Sequence, residues 1–520
     1  MTNCIILSGV HTQSFNASGL YRPLGPYRVA SSLQDAGYTT FVLDFISKFT
    51  MDEIIETLKT HIGPDTLWIG FSSTFFMNMK GSEKNRLIKE YNPNEILLDE
   101  MYWGIDYQVM IEFFNFIRQY KNVKIVYGGA KAPYGMLDSN IDYYVLGYAD
   151  VAVIDLTDYL SGKKDTIEHV EKIDTLDGLP SYKIESQKYP EPDVTNISTY
   201  WWNKNFNVLP GEMLPIELAR GCIFKCKFCN YPLLGKKKGT YLRSSSQIRD
   251  ELIKTYEVHG TTGYYITDDT FNDDNDKIEE LHKIFTSLPF KLHFTSFLRL
   301  DLINKFPHQA ELLSEMGLIG TFFGLETLNY ESGKAIGKGL HPNKVKDRLY
   351  WLHDLWKNKV NICAGFILGL PYDTHDHFYD LISWCLRDDN PVQEIIFNAL
   401  ELTDVSTFPK DRQSMLKRLN FSSEFSLNPD IYGYQFGTTD SWKLPAQNLT
   451  YTECKNTARY FTELVNQKNK LAALPMCSFL NIGVSLDDLY NLTQPQLQNK
   501  YDIELLANNR IAEYKKLIKK

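Results

Sequence analysis

The first 160 residues alternate short apolar runs with amphipathic stretches. Apolar and β-branched residues dominate the short runs, and Gly or polar residues close them, which predicts buried strands. These runs are "CIILSG", "TTFVLDF", "TLWIGFSS", "VKIVYGG" and "DYYVLG". Between them apolar residues recur at helical spacing, as in "PYRVASSLQDAG" and "MDEIIETLKTHIG". The repeated βα order predicts a doubly wound parallel sheet over residues 1–162, with its ligand at the carboxyl ends of the strands.

A second βα series follows a stretch in which the periodicity fades. Residues 163–210 are polar, aromatic and punctuated by prolines, and we predict a linker there. Residues 211–400 then carry six strand-like runs, "PIELAR", "GYYITDD", "LHFTSFLRL", "LIGTFFGLE", "VNICAGFILG" and "EIIFNAL". The chain is therefore predicted to be an α/β protein: a flavodoxin/Rossmann-like sheet, a partial (β/α)6 barrel with chemistry at the strands' C-terminal ends, and a mixed C-terminal capping or substrate domain over residues 401–520.

Composition and charge narrow the class of protein. The chain has 520 residues, of which 43% are hydrophobic, enough to bury more than one core. Its 55 basic and 64 acidic residues give a net charge of -9, which disfavours a broad nucleic-acid or membrane-surface footprint. The N-terminal "MTNCIILSGV" lacks the basic region of a signal peptide, and no long uncharged apolar run follows. We expect a soluble, cytoplasmic protein without membrane contact.

Three cysteines are clustered in the segment "RGCIFKCKFCNYP", as Cys222, Cys226 and Cys229. In a reducing compartment such a cluster indicates metal binding or redox chemistry. Three thiolates on one loop after a strand can ligate one iron-sulfur cluster and leave one iron open. Structural zinc is the rival, although it usually takes four ligands in two pairs and no second pair follows at suitable spacing. A non-catalytic scaffold protein with structural zinc is therefore kept as an alternative.

Together with Phe228, which precedes the last of them, the three cysteines resemble the signature loop of radical S-adenosylmethionine (SAM) enzymes. In that family, too, the loop follows the first strand of a partial barrel. The resemblance implies a [4Fe-4S] cluster held by Cys222, Cys226 and Cys229, with SAM bound at the open iron. It also implies one-electron cleavage of SAM to a 5'-deoxyadenosyl radical that abstracts hydrogen from an unactivated carbon. The cofactors carry this chemistry, while the protein positions SAM and excludes water.

The resemblance also implies SAM-binding residues at successive strand ends. Asp268 and Asp269 would face the SAM ammonium through charge-assisted hydrogen bonds. Arg299 would meet the SAM carboxylate or the substrate, and Glu326 would serve the ribose or the amino end. The aspartates and Arg299 have structural alternatives: Asp268 and Asp269 as N-caps of the next helix, and Arg299 in an ion pair with a neighbouring Asp. We assign no catalytic residue.

Two glycines in "GFILGLP", Gly365 and Gly369, resemble the fifth-strand segment of the same family, in which glycine lets the backbone approach the adenine. The alternative is that both glycines serve a turn.

The first βα series resembles the cobalamin-binding domain that precedes the barrel in one subgroup of radical SAM enzymes. The resemblance rests on the Pro-Leu-Gly entry to the first helix, the Ala-Gly-Tyr exit to the second strand, and "IGFSS", "IVYGGAKAP" and "IDYYVLGYAD" in order. Small residues at the strand ends would let a corrin lie against the backbone: Ser72, Ser73, Gly128, Gly129 and Gly147. The same glycines serve tight turns in any doubly wound sheet. The Asp-x-His-x-x-Gly motif is absent, and the usual Gly-Glu-Gly-Glu segment reads "GYAD" here.

The two resemblances together imply a radical SAM enzyme with two alternatives for its chemistry. With cobalamin bound, methyl transfer to a small-molecule or peptide substrate is expected. Without cobalamin, cyclisation, rearrangement or dehydrogenation is expected instead. In both cases a reductant such as flavodoxin or ferredoxin is the expected partner.

Overall fold

A computed structural model of the protein describes residues 2–9, 20–72, 107–129, 140–174, 180–190, 202–231, 234–237, 241–407, 410, 413, 423–437 and 441–519. The chain divides into two compact units. Unit 1 comprises residues 1–210, 254–260 and 504–520, and unit 2 comprises residues 211–253 and 261–503.

Unit 1 contains a sheet of seven strands in the order β2-β1-β3-β4-β5-β7-β6. Its strands are β1 (Cys4–Leu7), β2 (Thr40–Leu43), β3 (Trp68–Ser72), β4 (Lys124–Gly129), β5 (Tyr143–Leu146), β6 (Val170–Asp174) and β7 (Pro180–Glu185). Neighbouring strands are parallel except β6 and β7, which are antiparallel. The first five strands are those that the apolar runs predict, and their order is the flavodoxin-like one, which confirms the doubly wound sheet.

Among the described residues of unit 1, helices fall between or after the parallel strands. They are α1 (Leu24–Asp35), α2 (Met51–His61), α3 (Tyr107–Ile117) and α4 (Ala152–Leu160). The start of α2 is encoded locally, because the Thr50 hydroxyl accepts the Glu53 amide and the Glu53 carboxylate accepts the Thr50 amide. On α1, Tyr27, Ala30 and Leu33 form the buried stripe that its helical periodicity predicts.

Two strands lie within the stretch predicted as a linker, and this corrects the prediction for residues 163–210. Strand β7 pairs in parallel with β5, and β6 pairs antiparallel with β7. Pro180 stands at the first position of β7, where a strand tolerates proline. These strands could not be predicted from the local sequence, because it contains prolines and is of mixed composition. Their stability comes from pairing with a distant neighbour and not from local propensity.

Unit 2 contains a parallel sheet of six strands in the sequential order β13-β12-β11-β10-β9-β8. Its strands are β8 (Leu214–Ile216), β9 (Gly263–Ile266), β10 (His293–Leu298), β11 (Leu318–Glu326), β12 (Asn361–Leu368) and β13 (Glu394–Ala399). Helices follow the strands in turn: α5 (Ser245–His259), of which residues from 254 onward are assigned to unit 1, then α6 (Asn275–Thr286), α7 (Leu300–Lys305), α8 (Gln309–Glu315), α9 (Tyr330–Ile336), α10 (Pro342–Trp356) and α11 (His375–Cys385). This alternation confirms the predicted partial (β/α)6 arrangement.

The two faces of this sheet carry different aromatic clusters. On one face Tyr265, Phe297 and Phe322 meet edge to face across β9, β10 and β11. Gly365 on β12 makes room for this row, since an added Cβ would lie 2.5 Å from the Phe322 ring. On the other face Phe366 packs against Trp384 of α11. The apolar runs are therefore buried on both sides, as parallel strands in an α/β domain require.

The region after residue 400 contributes small elements to both ends of this sheet. It contains α12 (Glu424–Leu427), β14 (Lys443–Leu444), β15 (Leu449–Thr450), α13 (Tyr451–Asn466), α14 (Ala473–Asn481), α15 (Leu486–Asn491) and α16 (Gln494–Lys500). The Tyr434 hydroxyl donates to the carbonyl of Gly369 just beyond β12. At the opposite end, Asn481 of α14 pairs with both backbone groups of Met213, which precedes β8. The predicted C-terminal domain therefore includes a segment at the amino ends of the strands.

The last helix, α17 (Ile503–Leu517), contributes its residues from 504 onward to unit 1. Its Tyr514 hydroxyl accepts the amide of Asp44, whose carboxylate accepts the Tyr27 hydroxyl. The Arg22 guanidinium donates to the Tyr27 hydroxyl in the same buried cluster. In the described part of the chain no helix is long and apolar enough to span a membrane.

Candidate active site

The cysteine loop, which we define as residues 220–231, follows β8 and is tied to two other segments of unit 2. The Lys227 amide donates to the carbonyl of Ile336 at the end of α9, at 3.3 Å. The Lys227 carbonyl accepts the amide of Phe425 in α12, also at 3.3 Å. Both backbone groups of Lys227 are therefore satisfied within the protein, which fixes the centre of the loop against α9 and α12.

The three thiols of the cysteine loop form the metal-binding candidate. None of them is in a disulfide; Cys222 is buried, and Cys226 and Cys229 are partly exposed. Burial raises the pKa of Cys222, and it raises the pKa of Cys229 to about 11, which favours the neutral thiols. A bound cation would supply the charge that stabilises the thiolates. Among the described residues, no three His, Cys, Asp or Glu side chains could hold a single metal ion. A [4Fe-4S] cube differs, because each thiolate binds its own iron, and a donor set of three cysteines suits it.

Asp268 supports the backbone that leads into the cysteine loop. One carboxylate oxygen accepts the amides of Leu218 and Ala219 at 2.8 and 2.9 Å. The other accepts the Lys277 ammonium at 3.0 Å, and Lys277 also donates to Asp273 at 3.2 Å. The Asp268 side chain is buried, and these contacts occupy both of its oxygens. The predicted contact of Asp268 with SAM stays a prediction.

Asp269 is the member of the acidic pair that lies near the thiols. Its carboxylate is close enough to Cys222 and Cys229 to raise the pKa of both thiols. Burial raises the pKa of Asp269 itself to about 7, against the opposing hydrogen bond from Tyr231. Asp274, and not Asp269, is the N-cap of α6, so the capping alternative does not apply. A cationic group of a ligand would relieve the cost of burying this carboxylate.

Arg299 connects the end of β10 to the cysteine loop. Its Nε and Nη2 donate to the two carboxylate oxygens of Asp301 at 3.0 and 2.7 Å. Its Nη1 donates to Sγ of Cys226 at 3.4 Å, and its guanidinium carbon lies 3.8 Å from the centroid of the Phe224 ring. The ion pair with a neighbouring Asp, the structural alternative for Arg299, is thus present, together with a contact to a cysteine thiol.

Glu326 ends β11 in a left-handed conformation, with a φ of 67°. The pairing of β11 with β12 shifts register between Gly324 and Glu326, which marks a bulge. Lys338 Nζ donates to Oε1 of Glu326 at 2.7 Å and lies 5.7 Å from the centroid of the Phe228 ring in the cysteine loop. Strained residues of this kind persist where the surroundings impose them, and they cluster at functional sites.

Packing accounts for the two glycines predicted to face the adenine. Gly365 makes room for the Phe322 ring, as described above. Gly369 has a φ of 91°, and an added Cβ would lie 2.8 Å from Cζ2 of Trp442. The turn alternative holds for Gly369 through its left-handed backbone. The contact of both glycines with an adenine stays a prediction.

Sequence reasoning missed three side chains that the structure brings to this site: Lys277, Lys338 and Phe224. Lys338 follows Glu326 by 12 residues, and no periodicity links the two. Lys277 stands four residues after Asp273, a spacing that favours an ion pair, and this was the one available signal.

The small residues predicted to face a corrin lie together in unit 1. Ser72 at the end of β3 is in register with Gly128 of β4. The Gly147 amide, just after β5, donates to the Gly129 carbonyl at 3.2 Å. Gly129 and Gly147 have φ values of 128° and 89°, which only glycine adopts without strain. Ser73 lies outside the described residues, and the corrin contact stays a prediction.

A family model described as the radical SAM superfamily matches residues 216–385, from the end of β8 to the end of α11. Residues 216–385 are a radical SAM domain. Members of this superfamily use a [4Fe-4S] cluster and SAM, and the predicted family is confirmed. The cysteine loop, Asp269, Arg299 and Glu326 all lie within this radical SAM domain.

Two curated relatives are methyl-transferring enzymes by name. Bacteriochlorophyllide d C-12(1)-methyltransferase of Chlorobaculum tepidum is 27% identical over 230 residues, which is 43% of this chain and 47% of that protein. Hopanoid C-2 methylase of Rhodopseudomonas palustris is 28% identical over 194 residues, 36% of each chain. The matched regions thus cover about half of the first relative's length and about a third of the second's.

Two solved structures share the fold. The radical SAM methyltransferase TsrM from Kitasatospora setae, solved with cobalamin and a [4Fe-4S] cluster, is 16% identical with a TM-score of 0.53 and covers 77% of this chain and 75% of its own. The cobalamin-dependent radical enzyme OxsB, solved with aqua-cobalamin and SAM, is 14% identical with a TM-score of 0.53 and covers 82% of this chain and 58% of its own. In both cases the matched share of this chain is larger than the share that unit 2 makes up, so the likeness reaches into unit 1. The predicted fold class is confirmed.

Proposed function

We propose that the protein is a cobalamin-dependent radical SAM methyltransferase. In this proposal Cys222, Cys226 and Cys229 hold a [4Fe-4S] cluster, and unit 1 holds cobalamin. When bound, the cluster and SAM supply a 5'-deoxyadenosyl radical, and cobalamin supplies a transferable methyl group. The observation that carries the proposal is the position of Asp269, Arg299 and Glu326 at the ends of three consecutive strands beside the cysteine loop. Asp269 and Arg299 lie near its thiols, and Lys338, the partner of Glu326, lies near its Phe228 ring.

Asp269 is the proposed partner of the SAM ammonium. Its carboxyl group is largely buried and lies near two of the thiols, and its pKa is raised to about 7 by that burial. A docked ammonium would favour the charged carboxylate and form a charge-assisted hydrogen bond, which is roughly twice as strong as a neutral one. Asp268 is proposed instead to hold the start of the cysteine loop, since both of its oxygens are occupied.

Glu326 is the proposed partner of the ribose or the amino end of SAM. Its side chain and that of Lys338 are mostly buried, with exposed fractions of 11% and 16%. Lys338 balances the charge of Glu326, because a lone carboxylate at this depth would be costly. The pair presents a fixed acceptor beside the cysteine loop, which would exclude water and orient the ligand. Backbone near Gly365 and Gly369 is the proposed neighbour of the adenine.

Three observations support cobalamin on unit 1. The strand order is flavodoxin-like, a fold that binds flat cofactors at the carboxyl ends of its strands. Ser72, Gly128, Gly129 and Gly147 place small residues at adjacent strand ends, where a corrin could lie against the backbone. The fold likeness to two proteins solved with cobalamin extends into this unit. A radical SAM enzyme without cobalamin, acting by cyclisation, rearrangement or dehydrogenation, is the second candidate, because the corrin site rests on glycines that also serve turns.

The proposed partners follow from the proposed chemistry. The substrate is a small molecule or a peptide with an unactivated C-H bond. The reductant is an acidic one-electron carrier such as flavodoxin or ferredoxin. Exposed Lys225, next to Cys226 in the chain, and exposed Lys237 offer complementary charge for it. A cytoplasmic location belongs to the same proposal.

Anaerobic reconstitution, followed by metal, corrin and SAM-cleavage assays on one sample, tests this function. We expect a brown protein with about four irons per chain, bound hydroxocobalamin, and 5'-deoxyadenosine under dithionite. Replacing Cys222, Cys226 or Cys229 with Ala should remove the iron and the cleavage. Cys385→Ala is the matched control, since Cys385 is a buried single thiol on α11 and its loss should leave the iron content unchanged. A colourless protein with one zinc would support the scaffold, and iron without corrin would support the cobalamin-free enzyme.

A further inference from the structure

Arg299 approaches one thiol of the cysteine loop from the end of the neighbouring strand. Its Nη1 lies 3.4 Å from Sγ of Cys226, within the distance of a hydrogen bond to sulfur. The residue is only 6% exposed, so water competes little for this donor. The contact joins residues that are 73 positions apart in the chain. If Cys226 binds an iron, as in the proposed function, Arg299 is an outer donor to a cluster thiolate.

Two neighbours set the direction in which the Arg299 guanidinium points. Asp301 accepts Nε and Nη2 with its two oxygens, a bidentate geometry that fixes the plane of the fork. The Phe224 ring, two residues before Cys226, lies 3.8 Å from the guanidinium carbon. With one edge held by Asp301 and one face against Phe224, the remaining Nη1 edge is turned to the sulfur. Lysine has neither the fork nor the planar face to reproduce this geometry.

The backbone of Arg299 is fixed as well. Its amide donates to Oδ1 of Asn272 at 2.8 Å, and its carbonyl accepts Nδ2 of Asn272 at 3.1 Å. Asn272 is completely buried and also donates to the Gln309 side chain at 3.2 Å. The donor is therefore held at both its main chain and its side chain, which is how a second layer of residues controls a metal site.

We propose that Arg299 raises the reduction potential of the [4Fe-4S] cluster by donating to the thiolate of Cys226. Hydrogen bonds to cluster sulfurs and nearby positive charge stabilise the reduced cluster, which carries one more negative charge. The step involved is the uptake of one electron from the external one-electron carrier, and no bond forms or breaks. Arg299 is thus a positioning residue whose effect is on the cluster's electron affinity. This inference rests on the proposed function, because it requires a cluster on Cys226.

Redox titration of the reconstituted protein, followed by the electron paramagnetic resonance signal of the reduced cluster and done without SAM, tests the proposal. Arg299→Gln removes the charge and the fork, and we expect the one-electron reduction equilibrium to become at least tenfold less favourable, a midpoint about 59 mV more negative. Arg299→Lys keeps the charge and should give a smaller shift in the same direction. Arg387→Gln is the matched control, because Arg387 makes the same bidentate pair with Asp389 on an exposed surface. Its midpoint should equal that of the wild type.

The iron content separates the possible outcomes. A wild-type protein that binds no cluster overturns the proposed function and this inference with it. If the wild-type protein binds a cluster and both Arg299 variants keep the wild-type midpoint, the inference alone is overturned, even if the SAM affinity of the variants falls. If Arg299→Gln fails to assemble a cluster, the midpoint of Arg299→Lys decides, and a value equal to the wild type overturns the proposal.

Discussion

Lys338 Nζ lies 2.7 Å from Oε1 of Glu326 and 2.6 Å from the carbonyl oxygen of Gly324. One lysine therefore bonds both to the acidic side chain and to the strand that carries it. Gly324 belongs to this arrangement, because an added Cβ would contact Oε1 of Glu326 and lie 3.1 Å from Lys338 Nζ. The bulge, the left-handed Glu326 and the glycine together hold a buried ion pair beside the cysteine loop.

Removing the lysine should damage this arrangement. Lys338→Met leaves the Glu326 carboxylate buried without its cation, and we expect the unfolding free energy to fall by about 3 kcal/mol. We also expect the affinity for SAM to fall at least tenfold, because Glu326 loses its orientation, whereas Lys338→Arg keeps the charge and should retain more of it. Urea unfolding and equilibrium SAM binding to the reconstituted protein measure the two effects.

Lys334→Met is the control for this pair, since Lys334 makes an exposed ion pair with Glu331 on α9. Exposed pairs contribute about 1 kcal/mol or less, so this variant should stay close to the wild type. Unchanged SAM affinity in Lys338→Met would exclude Glu326 as an oriented partner of SAM.

The buried carboxyl group of Glu394 should make stability depend on pH. Glu394 stands at the start of β13, completely buried, and burial raises its pKa from 4.5 to about 8. The Ala472 amide donates to one of its oxygens at 2.9 Å, and the Cys363 thiol is a neighbour. Because the folded state binds the proton more tightly than the unfolded state, this group lowers the unfolding free energy as pH rises from about 4.5 to about 8.

Glu394→Gln should remove that part of the pH dependence. We expect the variant to be more stable than the wild type at pH 8.5, by about 2 kcal/mol, with the difference shrinking towards pH 5. Denaturant unfolding at several pH values measures this difference. Glu311→Gln, at an exposed position on α8, should leave the wild-type slope unchanged. Parallel stability profiles for Glu394→Gln and the wild type would contradict the prediction.

Two glycines separate backbone strain from packing. Gly337 and Gly369 both have left-handed φ values, of 85° and 91°. An added Cβ at Gly337 has nothing within 4 Å, whereas at Gly369 it would overlap Cη2 of the Trp442 ring, 2.8 Å from Cζ2 of the same ring, and lie 3.0 Å from Sγ of Cys454. Gly337→Ala should therefore cost about 1 kcal/mol for the backbone alone. Gly369→Ala should cost about 3 kcal/mol or more, since overpacking adds to it. Thermal and urea unfolding measure both, and equal losses would show that the Trp442 contact yields freely.

Most of the strands could be predicted, because the local composition of each run indicates that it is buried. The runs that form β1 to β5 and β8 to β13 are too apolar to lie exposed to water. They could therefore be predicted as buried strands, in their order along the chain. Strands β6 and β7 could not be predicted in this way, since their residues are mixed and their pairing partner, β5, is distant. The roles of Asp268 and Asp269 could not be predicted either. The two residues have the same side chain at neighbouring positions, and only their three-dimensional surroundings distinguish them.

The sequence by itself determined the two βα series and the three clustered thiols, because burial periodicity and cysteine spacing act over a few neighbouring residues. Only the tertiary structure decided which side chains meet those thiols. These are Asp269 and Arg299, and Asp301 and Phe224 orient the Arg299 guanidinium. The tertiary structure also decided that Lys338 balances Glu326. Such contacts depend on strand register and side-chain rotamers across long separations, and no local pattern in the chain encodes either of them.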